Sequence, residues 1–181
     1  MLLAASNVFA QLYFDNNGTT NGFGTAGGTW GTGSSLWNSD STGGAGGSFT
    51  DTTTGATPLF FGFGANGLAA GTITVSGTVN SGNWIIPTNS GRLDFTGGTI
   101  NFPNNVTFNT TNGVWNLTGG SPSGGCHFAN AISGSGNITK NGTGALLFYG
   151  DNSAFSGNIT HATTNSGAIV VKHNNGLDRK S

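Results

Sequence analysis

Six carboxylates are the residues of this chain that come nearest to acid–base chemistry, and all six are aspartates. An enzyme that cleaves polysaccharides needs paired carboxylates in one cleft, commonly with a basic residue beside them. The aspartates are scattered singly: Asp15, Asp40, Asp51, Asp94, Asp151 and Asp178. Arg92 and Asp94 would share one face of a strand, where a surface ion pair is the favoured interpretation. The sequence therefore predicts no enzyme, with a polysaccharide-active enzyme as the remote alternative.

Cysteine and histidine offer a second kind of chemistry, because thiolate and imidazole act as nucleophiles and metal ligands. Cys126 and His127 are adjacent, so on a strand their side chains point to opposite faces. His161 and His173 stand alone, and no further cluster has the spacing of a ligand set. We expect no catalytic residue, no metal and no cofactor.

A glycine-rich segment from Gly43 to Asp51 resembles part of a calcium-binding repeat. Ser48 stands where that repeat has an aspartate, and the unit occurs once. Calcium binding through this segment is therefore not expected.

Four tryptophans offer aromatic surface: Trp30, Trp37, Trp84 and Trp115. If they are exposed, sugar rings can stack on them, and the protein is a glycan-binding adhesin module. If they are buried, they pack the core or close one end of the fold, which is the favoured interpretation. Measured carbohydrate affinity separates the two alternatives.

The composition predicts an all-β protein. Of 181 residues 34 are glycine and only 6% are charged, while thirteen phenylalanines recur among threonine, asparagine and serine. Threonine, β-branched and aromatic residues favour strands, and glycine and asparagine favour turns. The net charge of −1 gives no basic patch for nucleic acid, and no apolar run is long enough for a membrane span.

Short apolar runs alternate with turn residues from Thr72 onward, and this spacing predicts strands and no helix longer than about two turns. The phrase Gly-Asn-Ile-Thr begins at Gly136 and again at Gly157. Such recurrence predicts a β-solenoid with about 20 to 25 residues per turn, in which equal residues stack. A sandwich or jelly roll remains the alternative.

Stacking assigns specific positions to the repeated phrase. Ile138 and Ile159 are expected in one inward column. Asn137 and Asn158 are expected at a corner, where their side-chain amides form an asparagine ladder.

Three parts follow from this pattern. Residues 1–10 form a signal-peptide-like segment or an apolar N-terminal strand, because Val8, Phe9 and Ala10 match a small-x-small cleavage pattern. Residues 11–70 are expected to form an irregular cap rich in glycine and aromatic residues. Residues 71–181 are expected to form the solenoid.

Residues 134–171 resemble the autotransporter-associated β-strand repeat of bacterial passenger domains, over about a fifth of the chain. The matching positions are Ile138, Lys140, Gly142, Gly144, Leu146, Phe148, Gly150, Asn152, Phe155, Gly157, Ile159, Gly167, Ile169 and Val171. The resemblance implies a right-handed parallel β-helix, exported and displayed at or released from the cell surface. It also implies that the protein has no chemistry of its own.

The leading expectation is a non-enzymatic extracellular structural protein of a surface layer, adhesin or matrix. Uncovered end strands are expected to join copies end to end into a homo-oligomer or filament. The residues expected to act at these ends are Met1, Leu2, Leu3, Val8, Phe9, Lys172, Arg179 and Lys180.

Overall fold

The computed structural model describes residues 10–112, 124–162 and 167–171. Within these ranges the secondary structure consists of strands without a helix, which confirms the all-β prediction. The strands are β1 (Leu12–Phe14), β2 (Thr29–Trp30), β3 (Trp37–Asn38), β4 (Phe49–Thr50), β5 (Leu59–Phe60), β6 (Gly62–Phe63), β7 (Asn66–Gly67), β8 (Gly71–Asn80), β9 (Trp84–Ile86), β10 (Leu93–Asn101), β11 (Val106–Thr110), β12 (Cys126–Phe128), β13 (Ala131–Ser133), β14 (Ile138–Asn141), β15 (Leu146–Phe148), β16 (Ile159–His161) and β17 (Ile169–Val171). Those same ranges hold no helix with the length and apolarity of a membrane span.

The strands assemble into two large sheets and one small hairpin. Sheet 1 has the order β16-β14-β11-β9-β5-β1-β3-β4, and sheet 2 has the order β17-β15-β12-β10-β8-β2, with β13 also paired to β10. All pairs are parallel from β8 onward, and the antiparallel pairs are β1–β3, β3–β4 and β6–β7.

The chain crosses repeatedly from one large sheet to the other. Strands β8, β10, β12, β15 and β17 lie in sheet 2, and β9, β11, β14 and β16 lie in sheet 1. Hydrogen bonds between consecutive layers join residues 20, 21 or 24 positions apart. One layer is longer, since Asn105 and Asn137 are 32 positions apart.

The pairing register in sheet 2 shifts part-way along its longest strands. The register between β8 and β10 shifts between Gly97 and Thr99, where Gly77 and Gly97 both have positive φ, of 65° and 85°. Positive φ favours glycine, because it has no Cβ to clash there. In the next layer β12 pairs with the first part of β10 and β13 pairs with the second.

Alternating residues of the strands form a core between the sheets. In β8 the apolar Ile73 and Val75 are buried, while the threonines beside them are exposed. Equivalent inward residues stack from layer to layer. The rings of Phe95 and Phe128 lie 5.2 Å apart and those of Phe128 and Phe148 lie 5.1 Å apart, each pair at 13°.

Residues 11–70 are continuous with these sheets. Strands β1 and β5 extend sheet 1, and β2 extends sheet 2. Each of the seven strands in this part has only two or three residues. The antiparallel strands β3 and β4 end sheet 1 on this side.

Candidate functional site

The repeated phrase is stacked in register at a corner of sheet 1. Ile138 pairs with Ile159 across β14 and β16. The side-chain oxygen of Asn137 accepts a hydrogen bond from the backbone N–H of Asn158, at 2.9 Å. Asn105 binds the N–H of Asn137 in the same way, also at 2.9 Å. This ladder joins side chain to backbone, in place of the bonds between side-chain amides that were predicted from the sequence.

Other polar side chains are bonded across layers on the outer surface. The Asn101 amide donates to Asn80 Oδ1 at 2.8 Å, and the Ser133 hydroxyl donates to Asn101 Oδ1 at 3.1 Å. The Asn141 amide donates to Asn109 Oδ1 at 3.2 Å. Uncharged side chains thus connect neighbouring layers without the repulsion that stacked like charges would cause.

The glycine that opens each repeated phrase lies against the layer before it. A Cβ on Gly136 would lie 1.9 Å from the carbonyl oxygen of Asn104, and one on Gly157 would lie 2.0 Å from that of Gly136. A side chain at either position would therefore force adjacent layers apart. This contact explains why the phrase begins with glycine both times.

Three of the four tryptophans lie inside the protein. Trp30, Trp37 and Trp84 are fully buried. Trp84 is central, because its ring contacts those of Phe61 and Phe108, with centroids 4.5 and 4.8 Å away. No sugar can stack on a ring that solvent does not reach. The alternative prediction, that these three tryptophans form a glycan-binding surface, is therefore wrong. Trp115 lies outside the described residues.

The structure brings His127 to the Arg92–Asp94 pair on the outer face of sheet 2. Asp94 and His127 are register partners on β10 and β12. Arg92 Nη2 lies 2.8 Å from Asp94 Oδ2, and His127 Nδ1 lies 3.3 Å from Asp94 Oδ1. His127 is 6% exposed. The sequence pairs Arg92 with Asp94, which is two positions away, but gives no sign that His127 joins them. The reason is that the longer layer lies between Asp94 and His127.

Cys126 and Lys140 are among the ionisable side chains buried in the described part of the chain. Cys126 on β12 and Lys140 on β14 are each 0% exposed. Burial raises the pKa of the Cys126 thiol well above its ordinary value of 9.0. Burial lowers the pKa of Lys140 to about 8. The ammonium donates to the carbonyl of Gly142 at 2.7 Å, so its burial is partly compensated. A thiol kept in its neutral form is a poor nucleophile.

The remaining aspartates bond to nearby turns. Asp15 is buried, and its Oδ2 accepts a hydrogen bond from the amide of Asn38 at 2.8 Å. Asp40 accepts from the N–H and hydroxyl of Thr42, and these bonds lower the pKa of Asp40. Asn38 also donates to the Gly44 carbonyl at 3.0 Å. A carbonyl of the glycine-rich segment that resembles a calcium repeat is thus bonded to a protein side chain.

The described part of the chain has no group of three or more His, Cys, Asp or Glu side chains placed to hold a metal ion. His161 is exposed, and its Nε2 contacts the Gly167 carbonyl. His173 and Asp178 lie outside the described residues.

The expected assembly ends also lie outside the described residues: Met1, Leu2, Leu3, Val8, Phe9, Lys172, Arg179 and Lys180. Among residues 10–112, 124–162 and 167–171, β16 and β17 are the last strands of their sheets at one end, and β4 and β2 are the last at the other. The side chains of Ile159, Ile169 and Val171 are partly buried against the core at the first of these ends.

Comparison of the chain with protein-family models, with curated proteins and with solved structures found no match. The resemblance to the autotransporter-associated repeat therefore rests on the matching residues alone.

Proposed function

We propose that this protein is a non-enzymatic, extracellular structural protein: a right-handed β-solenoid of a bacterial surface layer, adhesin or matrix. The observation that carries the proposal is the layer-to-layer register, in which Asn105, Asn137 and Asn158 form one column of hydrogen bonds. A stack of this kind grows by repetition, and a repetitive scaffold suits a structural role.

Residue chemistry supports a structural role over catalysis. The buried Cys126 and Lys140 are inside the core, where substrate does not reach them. Arg92 and His127 both contact the carboxylate of Asp94 on one face of sheet 2. The resemblance of residues 134–171 to passenger repeats supports export and surface display.

Copies associate end to end through β16, which is the last strand of sheet 1 at one end among the described residues. In a parallel ladder alternate residues bond to the same neighbour. The N–H of Ile138 binds the Asn158 carbonyl and the N–H of Ala162 binds the Lys140 carbonyl, both across β14 and β16. The N–H groups of Ile159 and His161 therefore point away from β14. Such edge groups are a template for a strand of another copy.

A pair of variants tests end-to-end association. His161→Pro removes the outward N–H, whereas His161→Ala keeps it and also lacks the imidazole. A proline is tolerated on an edge strand when its missing N–H faced outward. We expect filaments in electron micrographs of the wild type and of His161→Ala, and single particles for His161→Pro with unchanged circular dichroism. Single particles of the wild type at high concentration would refute the association.

A further inference from the structure

A surface pocket lies beside β3 and β4 at one end of sheet 1, and no tryptophan lines it. Its volume is about 340 Å³. The residues that line it are Asp15, Asn16, Gly18, Thr19, Ser35, Leu36 and Phe49. Phe49 and Leu36 are partly exposed, and Asp15 is 1% exposed. The carboxylate of Asp15 is already bonded to the Asn17 N–H and the Asn38 amide, so the polar groups open to a ligand are the exposed side chains of Asn16, Thr19 and Ser35.

Backbone and side-chain contacts hold this pocket in shape. The N–H of Asp15 donates to the Leu36 carbonyl at 2.9 Å. This hydrogen bond connects the two segments of chain that form opposite sides of the pocket. A Cβ on Gly28 would lie 3.0 Å from Leu36 Cδ1, so the glycine lets this wall pack closely. Ser35 has a φ of 46° on the pocket wall. A non-glycine residue in this region costs free energy, and such residues are concentrated at ligand sites.

The polar groups of the pocket favour a neutral ligand with several hydroxyls. The cations Arg92 and Lys140 do not line it, since one pairs with Asp94 and the other bonds to Gly142. An anionic ligand would therefore meet no cationic partner among the lining residues. Amide and hydroxyl side chains such as those of Asn16, Thr19 and Ser35 both donate hydrogen bonds to hydroxyl groups and accept them.

The apolar floor restricts the ligand further. A sugar ring carries hydroxyls at its edge and C–H groups on its face, and that face packs on an aromatic ring. The volume is near the lower end of the range for small-molecule sites, which fits one sugar ring better than an oligosaccharide.

We infer that this pocket binds a neutral hexopyranose, with Phe49 and Leu36 under the ring face and the exposed side chains of Asn16, Thr19 and Ser35 bonded to its hydroxyls. The site is unrelated to the tryptophan platform that the sequence suggested, and it adds a recognition function to a structural protein.

Titration of the ¹⁵N-labelled chain tests this inference. The probes are methyl β-D-glucopyranoside, methyl β-D-galactopyranoside, methyl α-D-mannopyranoside and N-acetyl-D-glucosamine, with cyclohexanol as an apolar ring of similar size. At least one sugar should shift the amides of residues 16–19 and 35–36 with a dissociation constant of about 1 to 10 mM. The inference is overturned if no sugar gives a saturable shift there, or if cyclohexanol binds as tightly.

Matched variants locate the site. Phe49→Ala should weaken sugar binding about tenfold, whereas Phe63→Ala, which removes another exposed ring outside the pocket, should leave it unchanged. Thr19→Val removes one hydroxyl from an exposed residue of the pocket wall and keeps the shape of the side chain. It should weaken sugar binding several-fold. This variant tests the site even if Phe49→Ala folds poorly. Equal affinity of the wild type, Phe49→Ala and Thr19→Val would place binding elsewhere and reject this pocket.

Discussion

Single residues in the core have the clearest energetic consequences. Lys140 is fully buried, and the only hydrogen bond seen from its ammonium within the described residues goes to the Gly142 carbonyl. Cys126 is buried in the same core, with its pKa raised where that of Lys140 is lowered. The two groups therefore change stability in opposite directions as the pH rises.

Stability should increase between pH 8 and 9 because of Lys140. Its pKa is about 8 when folded and 10.5 ordinarily, so the folded protein binds fewer protons in this interval. The free energy of unfolding then rises by up to about 1.4 kcal/mol per pH unit. Above pH 9 the unfolded Cys126 thiol ionises while the folded one stays protonated, which cancels the increase.

Urea melts across pH 7 to 10 measure this effect. Lys140→Met should abolish the increase, and Cys126→Ala should extend it beyond pH 9. A wild type whose free energy of unfolding stays constant from pH 8 to 9 would contradict the assignment.

Trp84 is expected to be the most costly tryptophan to remove. Trp84→Ala deletes a ring that contacts five other rings, those of Trp30, Phe61, Phe95, Phe108 and Phe128. It should lower the free energy of unfolding by about 3 to 5 kcal/mol in urea melts. Phe63→Ala, at a ring that is 43% exposed, should cost under about 1 kcal/mol. Similar losses for both variants would show that the core is not organised around Trp84.

At the scale of elements, the corners of the layers decide which residues are allowed. Asn137 bonds to the next layer, while Gly136 and Gly157 lie against backbone carbonyls. Within the Gly-Asn-Ile-Thr phrase, the glycine lies in close contact with the backbone of the previous layer, and the asparagine beside it forms a hydrogen bond to the next layer. Each can be tested separately.

Removal of an asparagine side chain from the ladder should lower the free energy of unfolding slightly, and only where that side chain accepts a hydrogen bond from the next layer. Asn137→Ala leaves the N–H of Asn158 without its acceptor and should cost about 0.5 to 1 kcal/mol. It should also speed hydrogen exchange at the Asn158 amide. Asn158→Ala, one layer further along the same column, removes a side chain for which the described residues show no bond, and should cost under about 0.3 kcal/mol. The reverse order of effects would exclude the ladder as a stabilising feature.

A methyl group at the repeated glycine should separate two layers. Gly157→Ala places a Cβ 2.0 Å from the Gly136 carbonyl oxygen and should cost about 3 kcal/mol in thermal or urea unfolding. Gly64→Ala is the matched control, because Gly64 has a φ of 58° but no atom within 4 Å of an added Cβ. Its cost should be only about 1 kcal/mol. Gly157 itself has no positive φ, so equal costs would mean that contact between the layers is not what selects glycine at position 157.

At the scale of the whole molecule, local patterns predicted more than distant contacts did. Alternating apolar and polar residues, as in Gly71–Asn80, predicted strands, because alternation depends only on neighbouring residues. The repeated Gly-Asn-Ile-Thr phrase predicted a spacing of 20 to 25 residues per layer, because it shows one period of the fold directly. The pocket joins Asp15, Leu36 and Phe49 from three separate segments without any period. Burial of Lys140 depends likewise on which face of β14 turns inward, and no local signal marks a charged residue for the core.

The longer layer has a consequence for how such a chain can change. Asn105 and Asn137 remain bonded across 32 positions just as Asn137 and Asn158 do across 21. The connection between β11 and β12 is therefore a place where extra sequence enters without disturbing the alignment on either side. A foreign epitope grafted there would be carried by an unchanged scaffold, so this connection is the natural choice for display of a vaccine peptide or an affinity tag.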